Sequence, residues 1–441
     1  MQKPALVLSL GIAAIMLIGA ILLNLPISSN NGQSIGFLNA LLTATSAVSV
    51  TGLVVVNTAE HWTIFGKVVI ILLIQAGGLG FMTLATLVAL ITGKRIGLKE
   101  RLIMQEQLNQ DSLSGIVKLT RFAILATLAI EGIGALLLST RLIPIYGPIK
   151  GIGYSVFHAI SAFCNAGFDL FGDSLVPFVG DTVMNLTIGG LIILGGLGYT
   201  VYIDIKQRKS YRMLSLHSKI VLIVSALLIV VGGVVIFISE HNNPNTMGNL
   251  TLYEKVLASF FQSVVARTAG FYSIDLNGMV NSSVFFLIIL MFIGGSPGST
   301  AGGIKTTTFA TIVLTLISVI RGKEDVEVFK KRIPQWHISK AFILLSAGLT
   351  LVLVVAFLLT MTEPTKPFID LLFETMSAFA TVGSTRNITP ELSDMGKLLI
   401  TFTMYSGKVG FLTLALALTN RGKGTPNKKN YKYPEGKIII G

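Results

Sequence analysis

The sequence predicts an all-α membrane protein: four pseudo-repeated units, each a helix, a short pore helix and a second helix, around one central pore with eight transmembrane helices. Three observations carry this. Of the 441 residues 52% are hydrophobic and 12% charged, too few charges to cover a soluble globule. Eight apolar stretches, near 5–25, 64–92, 119–140, 182–203, 219–239, 283–320, 338–361 and 395–418, have the length a bilayer demands, about 20 residues for a hydrocarbon core of roughly 30 Å. Between the members of each successive pair lies a shorter apolar segment ending in an extended run with glycine.

The elements follow in order. Unit one (1–93) opens with an apolar helix whose end, Leu23-Asn24-Leu25-Pro26, offers no small-residue cleavage site, so it is read as retained. Its re-entrant segment runs from Leu42 to Gly52, and its second helix carries Gly77-Gly78-Leu79-Gly80. Unit two (94–204) repeats the plan with Phe157 to Gly167 and Gly195-Gly196-Leu197-Gly198. Unit three (205–321) has Phe260 to Gly270 and Gly294-Gly295-Ser296-Pro297-Gly298; unit four (322–419) has Phe373 to Gly383 and Ser406-Gly407-Lys408-Val409-Gly410. Residues 420–441 form a tail. The loop glycines are 115, 103 and 113 residues apart, and the last glycine of each cluster follows its loop glycine by 28, 31, 28 and 27 residues. Such matched offsets mark internal repeats. Three copies also carry Ser-Ala six and five residues before the glycine: Ser46-Ala47, Ser161-Ala162 and Ser377-Ala378.

The net charge of +13 does not indicate nucleic acid, because the positive residues gather in alternate loops. Lys94, Arg95, Lys99 and Arg101 stand in one, Lys206, Arg208 and Arg212 in the next, Arg321, Lys323 and Lys331 in a third, and Arg421, Lys423 and Lys437 in the tail. The positive-inside rule makes these loops and both termini cytoplasmic, with the glycine loops opening outward. The single cysteine, Cys164, excludes an intrachain disulfide and reads as a small packed residue. Five scattered histidines provide no metal-ligand spacing, and no nucleophile or acid/base constellation argues for an enzyme.

Four glycine loops fit the chemistry of cation passage. An ion leaving water needs its hydration shell replaced, and rings of backbone carbonyls do so without a fixed charge that would hold it. Glycine permits conformations that turn consecutive carbonyls toward an axis, and the C-terminal ends of the short helices add partial negative charge. The candidate filter residues are Val50, Thr51 and Gly52; Asn165, Ala166 and Gly167; Thr268, Ala269 and Gly270; and Thr381, Val382 and Gly383. Around these residues the chain resembles a KtrB-type subunit of the Trk/Ktr/HKT superfamily of potassium translocators: Ser46 to Leu53, Asn165-Ala166-Gly167-Phe168, Arg267-Thr268-Ala269-Gly270-Phe271 and Thr381-Val382-Gly383. The resemblance implies that the four glycines mark a potassium selectivity filter. Glycine in the first loop is similar to the potassium-selective members rather than the sodium-favouring type with serine there. Ser384 and Arg386 depart from the usual Gly-Leu-Thr continuation.

The sixth apolar stretch is interrupted by Gly294, Gly295, Ser296, Pro297, Gly298, Ser299, Thr300, Ala301, Gly302, Gly303, Ile304 and Lys305, a run expected to unwind. It resembles the family's intramembrane loop, a gate beneath the filter. Lys408, where the family usually has arginine, lies roughly 20 Å into the last helix, and its charge is expected to face a wet conduction path as a barrier; Phe411 replaces the customary proline. Arg267 is expected to brace the third loop from behind, with a carboxylate such as Glu374 as partner. Gln75 and Glu131 read as packing residues between helices.

No phosphate-cradling motif is present, so energy coupling or regulation comes from elsewhere. The resemblance implies a homodimer and a cytosolic ring of nucleotide-binding, KtrA-like regulatory subunits, with the tail end Ile438-Ile439-Ile440 in the dimer contact. The reading is potassium uptake across the plasma membrane, potassium itself being the only bound ion. A potassium/sodium or potassium/proton symporter and a potassium-binding pump subunit stay open as alternatives.

Overall fold

The computed structural model describes residues 4–80, 83, 96–107 and 115–410. The tail 420–441, Lys94, Arg95, Phe411 and the expected ends of the second helices of units one and four lie outside the described residues.

Each quarter opens with a long apolar helix: Pro4–Asn24, Ile116–Tyr146, Leu216–Glu240 and Gln335–Thr362. All four are long and apolar enough to cross a membrane. They bury a minority of their surface in the protein and turn Leu17, Leu136, Val230 and Leu353 outward, as expected of helices with protein on one side and lipid on the other.

A short helix follows in each quarter: Phe37–Ser49, Pro148–Phe163, Leu252–Val265 and Phe368–Ala380. With 13 to 16 residues these are too short to span, reaching only about 20–24 Å. Proline in the first turn starts the second, and a capping box between Thr251 and Glu254 starts the third. Each ends where the chain turns into its glycine loop.

The trailing helices are Ile64–Leu79, Thr182–Leu197, Asn281–Phe292 and Asp394–Val409. Side chains of Thr63, Asp181 and Ser393 cap three of them, accepting from Gly66, Met184 and Gly396 N–H at 3.2, 3.1 and 3.1 Å. In the third quarter, Val280 N–H donates instead to the buried Glu240 Oε1 at 3.0 Å. Each of these helices ends at or just before its glycine cluster. Gly80, Gly198, Gly298 and Gly410 have φ of +83°, +90°, +68° and +85°, values that suit glycine and break a right-handed helix. The straight span expected over 182–203 is therefore bent, by 88° between Thr182–Leu197 and Tyr199–Arg208. The third-quarter break extends from Ile293 to Lys305, and the chain resumes as Thr306–Ile320.

Packing between quarters is cyclic. The trailing helix of each quarter lies against the short helix of the next, and that of the fourth returns to Phe37–Ser49 of the first. Tyr405 OH fastens this closure by donating to Ser9 O at 3.1 Å. The short helices thus occupy the centre and the long helices the rim.

Candidate functional site

The four loops meet. In each, the residue two before the glycine has positive φ: Val50 +59°, Asn165 +61°, Thr268 +74° and Thr381 +52°. The glycines follow at +100°, +69°, +72° and +93°. Thr51, Ala166, Ala269 and Val382 between them do not, so handedness alternates along every loop. A left-handed conformation at β-branched Val50, Thr268 and Thr381 costs about 1–3 kcal/mol each and persists only where surroundings enforce it.

The glycines are required by their neighbours. A Cβ on Gly52 would stand 2.5 Å from Ala166 O, one on Gly167 2.8 Å from Ala269 O, and one on Gly270 2.6 Å from Val382 O. On Gly383 it would collide more closely still with Thr51 O. Each loop glycine therefore abuts the carbonyl preceding the next loop's glycine, and the fourth abuts the first. The four loop glycines and the residues before them, Thr51, Ala166, Ala269 and Val382, form one closed ring.

Hydrogen bonds behind the ring explain the Ser-Ala pattern. Gly52 N–H donates to Ser46 Oγ at 2.9 Å and Gly383 N–H to Ser377 Oγ at 3.0 Å, while Ser161 Oγ donates to Phe168 O at 2.7 Å. Backbone bonds add Thr51 N–H to Ser46 O, Ala166 N–H to Ser161 O and Val382 N–H to Ser377 O at 2.8, 2.7 and 2.8 Å. The third loop has Val264 in place of this serine and closes one residue tighter, Ala269 N–H to Val265 O at 3.0 Å. Asn165 Nδ2 donates to Thr268 Oγ1 at 3.4 Å, joining loops two and three.

The other glycine markers serve close packing. Gly77, Gly195 and Gly407 face the carbonyls of Val48, Phe163 and Phe379, each four residues before a loop glycine, with no space for a side chain. The repeated clusters thus combine a contact with the short-helix end and a break just beyond it.

The broken segment lies against the ring. Thr300 Oγ1 is 3.1 Å from both Phe163 O and Asn165 Oδ1, and Gly302 packs on Thr381 and on Ala380 O. Ser296 and Thr300 N–H donate to Gly196 O and Gly195 O at 2.9 and 3.2 Å, and Tyr199 N–H donates to Gly298 O at 3.0 Å. The bend at Gly198 therefore makes room for Pro297 and Gly298. Gly294 N–H bonds Ile304 O at 2.9 Å, Thr306 N–H bonds Gly295 O at 3.0 Å, and Ser299 Oγ donates to Ser296 O at 2.6 Å, folding the segment on itself. Ala301 O accepts from Lys305 Nζ at 2.6 Å, and Gly303 takes φ +65° beside Gly294. Lys408 is an electrostatic neighbour of Lys305 and of Cys164. The structure thus brings together the gate candidates and sets them against loops two and four.

One expected pairing differs. Arg267 does point behind the third loop, yet its partner is Ser225 on Leu216–Glu240, whose carbonyl and Oγ accept at 3.4 and 3.3 Å. Glu374 accepts instead from Thr385 Oγ1 at 2.7 Å and from Thr389 Oγ1, tying the outer side of the fourth loop to its short helix. Arg386 lies beside Asp370 at 3.2 Å, and its Nη2 donates to Asn277 O at 3.2 Å, bridging to the third quarter. Gln75 Nε2 donates to Glu131 Oε2 at 3.3 Å, and Cys164 Sγ lies 3.7 Å from Glu131 Oε1. Their contact is interhelical, as expected, and it also reaches the end of the second short helix. The spacing of the recurrent serines is visible in the sequence, but their hydrogen bonds to the loops are not.

A ring of re-entrant loops inside a bundle of membrane-crossing helices defines a transport protein rather than an enzyme. The chain belongs to the TrkH family of cation transport proteins, whose family model matches residues 11–423. It is 44% identical over 438 residues to the Ktr system potassium uptake protein B of Bacillus subtilis, covering 99% of this chain and 97% of that one. It is 42% identical to the potassium/sodium uptake protein NtpJ of Enterococcus hirae, covering 100% and 97%. Among solved structures, the potassium transporter TrkH from Vibrio parahaemolyticus superimposes with a TM-score of 0.74 at 17% identity, over 95% of this chain and 86% of that one, a likeness of fold.

Proposed function

We propose that this chain takes potassium into the cell across the plasma membrane through a filter made of its four glycine loops. The observation that carries the reading is the closed ring. In an ordinary strand successive carbonyls point to opposite sides; alternating handedness turns them to the same side, and four such loops line one axis with oxygens that replace a hydration shell. The short helices end at the ring, so their negative ends favour a cation there. The units are read as 1–93, 94–204, 205–321 and 322–419, with both termini cytoplasmic.

The segment from Gly294 to Lys305 is the gate in this reading. It lies against Phe163, Asn165, Ala380 and Thr381, and moving it away from the ring opens the path. The side chains of Lys305 and Lys408 are neighbours at this level, and wherever their amino groups carry a proton they oppose a cation in a medium of low dielectric. Regulation comes from outside the chain: a homodimer carrying a cytosolic ring of nucleotide-binding subunits, as the relatives' designation as parts of a Ktr system suggests. The name of the Enterococcus relative favours a second reading, coupling of potassium to sodium. Rubidium uptake into proteoliposomes with sodium inside, outside or absent distinguishes them. Uptake indifferent to sodium supports the uncoupled path, and failure of rubidium to enter under any condition removes the potassium assignment.

A further inference from the structure

The residue three before the loop glycine is Cys164 in loop two and Arg267 in loop three, and both point behind the ring. Because Gly77 and Gly195 make the same contact with the short-helix carbonyls of Val48 and Phe163, the pockets receiving these two residues align. Gln75 corresponds to Ile193 and Gly78 to Gly196. In the second quarter the pocket is filled: Cys164 meets Gly78, Gln75 and the carboxyl group of Glu131. In the third quarter the equivalent space is a small cavity, lined by Ile193, Gly196, Ser225, Val264 and Gly295 and by Arg267 itself.

Arg267 is 8% exposed, and among the described residues no carboxylate lies within ion-pair distance of it. Its two contacts with Ser225 are long, 3.4 and 3.3 Å, and Nε has no hydrogen-bond partner. A buried guanidinium without a counter-charge is expensive, and this one borders a ring proposed to hold cations. The expected carboxylate, Glu374, is engaged by Thr385 and Thr389.

We propose that this cavity binds one small monovalent anion, chloride in its ordinary form, which faces Arg267 where the second quarter places the Glu131 carboxyl group. The guanidinium supplies the charge and the free Nε–H, while the apolar walls of Ile193 and Val264 exclude larger or strongly hydrated anions. A water would satisfy the hydrogen bond but leave the charge unbalanced. Since Gly295 of the broken segment forms one wall, the bound anion also adjoins the gate candidate.

The test reads binding directly and is independent of transport. Crystals of the full-length protein grown in potassium bromide are expected to give one anomalous bromide peak in the cavity beside Arg267 Nε. Purified protein is also expected to melt at a higher temperature in chloride or bromide than in gluconate at equal potassium, a difference abolished in Ser225→Asp, which supplies the counter-charge internally. A water-sized feature without anomalous signal overturns the proposal, and so does a halide-dependent shift of unchanged size in a folded Ser225→Asp protein.

Discussion

Substituting Gly270 by serine tests the ring at a place where the structure gives the size of the effect. The new Cβ would lie 2.6 Å from Val382 O, inside the 3.0 Å that real Cβ atoms essentially never breach, at a φ of +72°. The left-handed conformation alone costs a residue with a side chain about 1–2 kcal/mol, and forcing an atom into a filled site adds about 1–3 kcal/mol. The native loop arrangement is thus disfavoured by about 2–5 kcal/mol, a factor of roughly 30 to several thousand at 1.36 kcal/mol per decade. Relief requires loops three and four to separate, which enlarges the ring and weakens its fit to a dehydrated potassium ion. The assay is rubidium uptake by reconstituted protein with sodium as competitor, and the expected result is a large loss of preference for rubidium. Gly190→Ser is the control, because a side chain there meets nothing within 4 Å and the backbone does not have positive φ. An unaltered rubidium-over-sodium preference in Gly270→Ser would refute the reasoning.

Other outcomes follow from the same geometry. Lys408→Met removes one of two neighbouring lysine amino groups and is expected to raise rubidium flux on the order of tenfold; kinetics like the wild type would remove the barrier role. Gly302→Ala pushes the broken segment off Thr381 and Ala380, so flux should rise while ion preference holds, and a fall in flux with preference lost would assign the segment to the filter instead. Glu374→Ala strips the carboxylate acceptor from half-buried Thr385 and buried Thr389, leaving them only their mutual hydrogen bond at 3.1 Å, a loss of about 1–3 kcal/mol read as a lower melting temperature that Glu374→Gln largely restores. Arg141→Ala breaks an ion pair at 2.7 Å whose arginine side chain is half exposed, so stability should fall by under about 1 kcal/mol.

Much of the architecture was legible in the sequence because it is repeated. One glycine in an apolar run is ambiguous, but Gly52, Gly167, Gly270 and Gly383 at near-equal spacing, each followed by a second cluster, leave little freedom. The break at Pro297 was legible for a local reason, since proline removes a donor and its glycines weaken helix. The 88° bend at Gly198 was not, because glycine alone in a membrane helix also serves close packing; the bend exists because Pro297 and Gly298, a hundred residues away, occupy the space. Left-handed Val50, Thr268 and Thr381 run against the preference of β-branched residues, and only the closed ring enforces them. Arg267 and Glu374 illustrate the limit for partners. Opposite charges in neighbouring units suggested a pair, yet local threonines reach the carboxylate first, and sequence separation says nothing about which group lies nearest.

The most direct measurement is anomalous diffraction from crystals of this protein grown in thallium or rubidium salts. Ion density on the axis, bounded by the backbone of Thr51, Ala166, Ala269 and Val382 alike, is the result predicted by a filter built from all four quarters. Density held by side chains away from that axis, in a protein that still takes up rubidium, would contradict it.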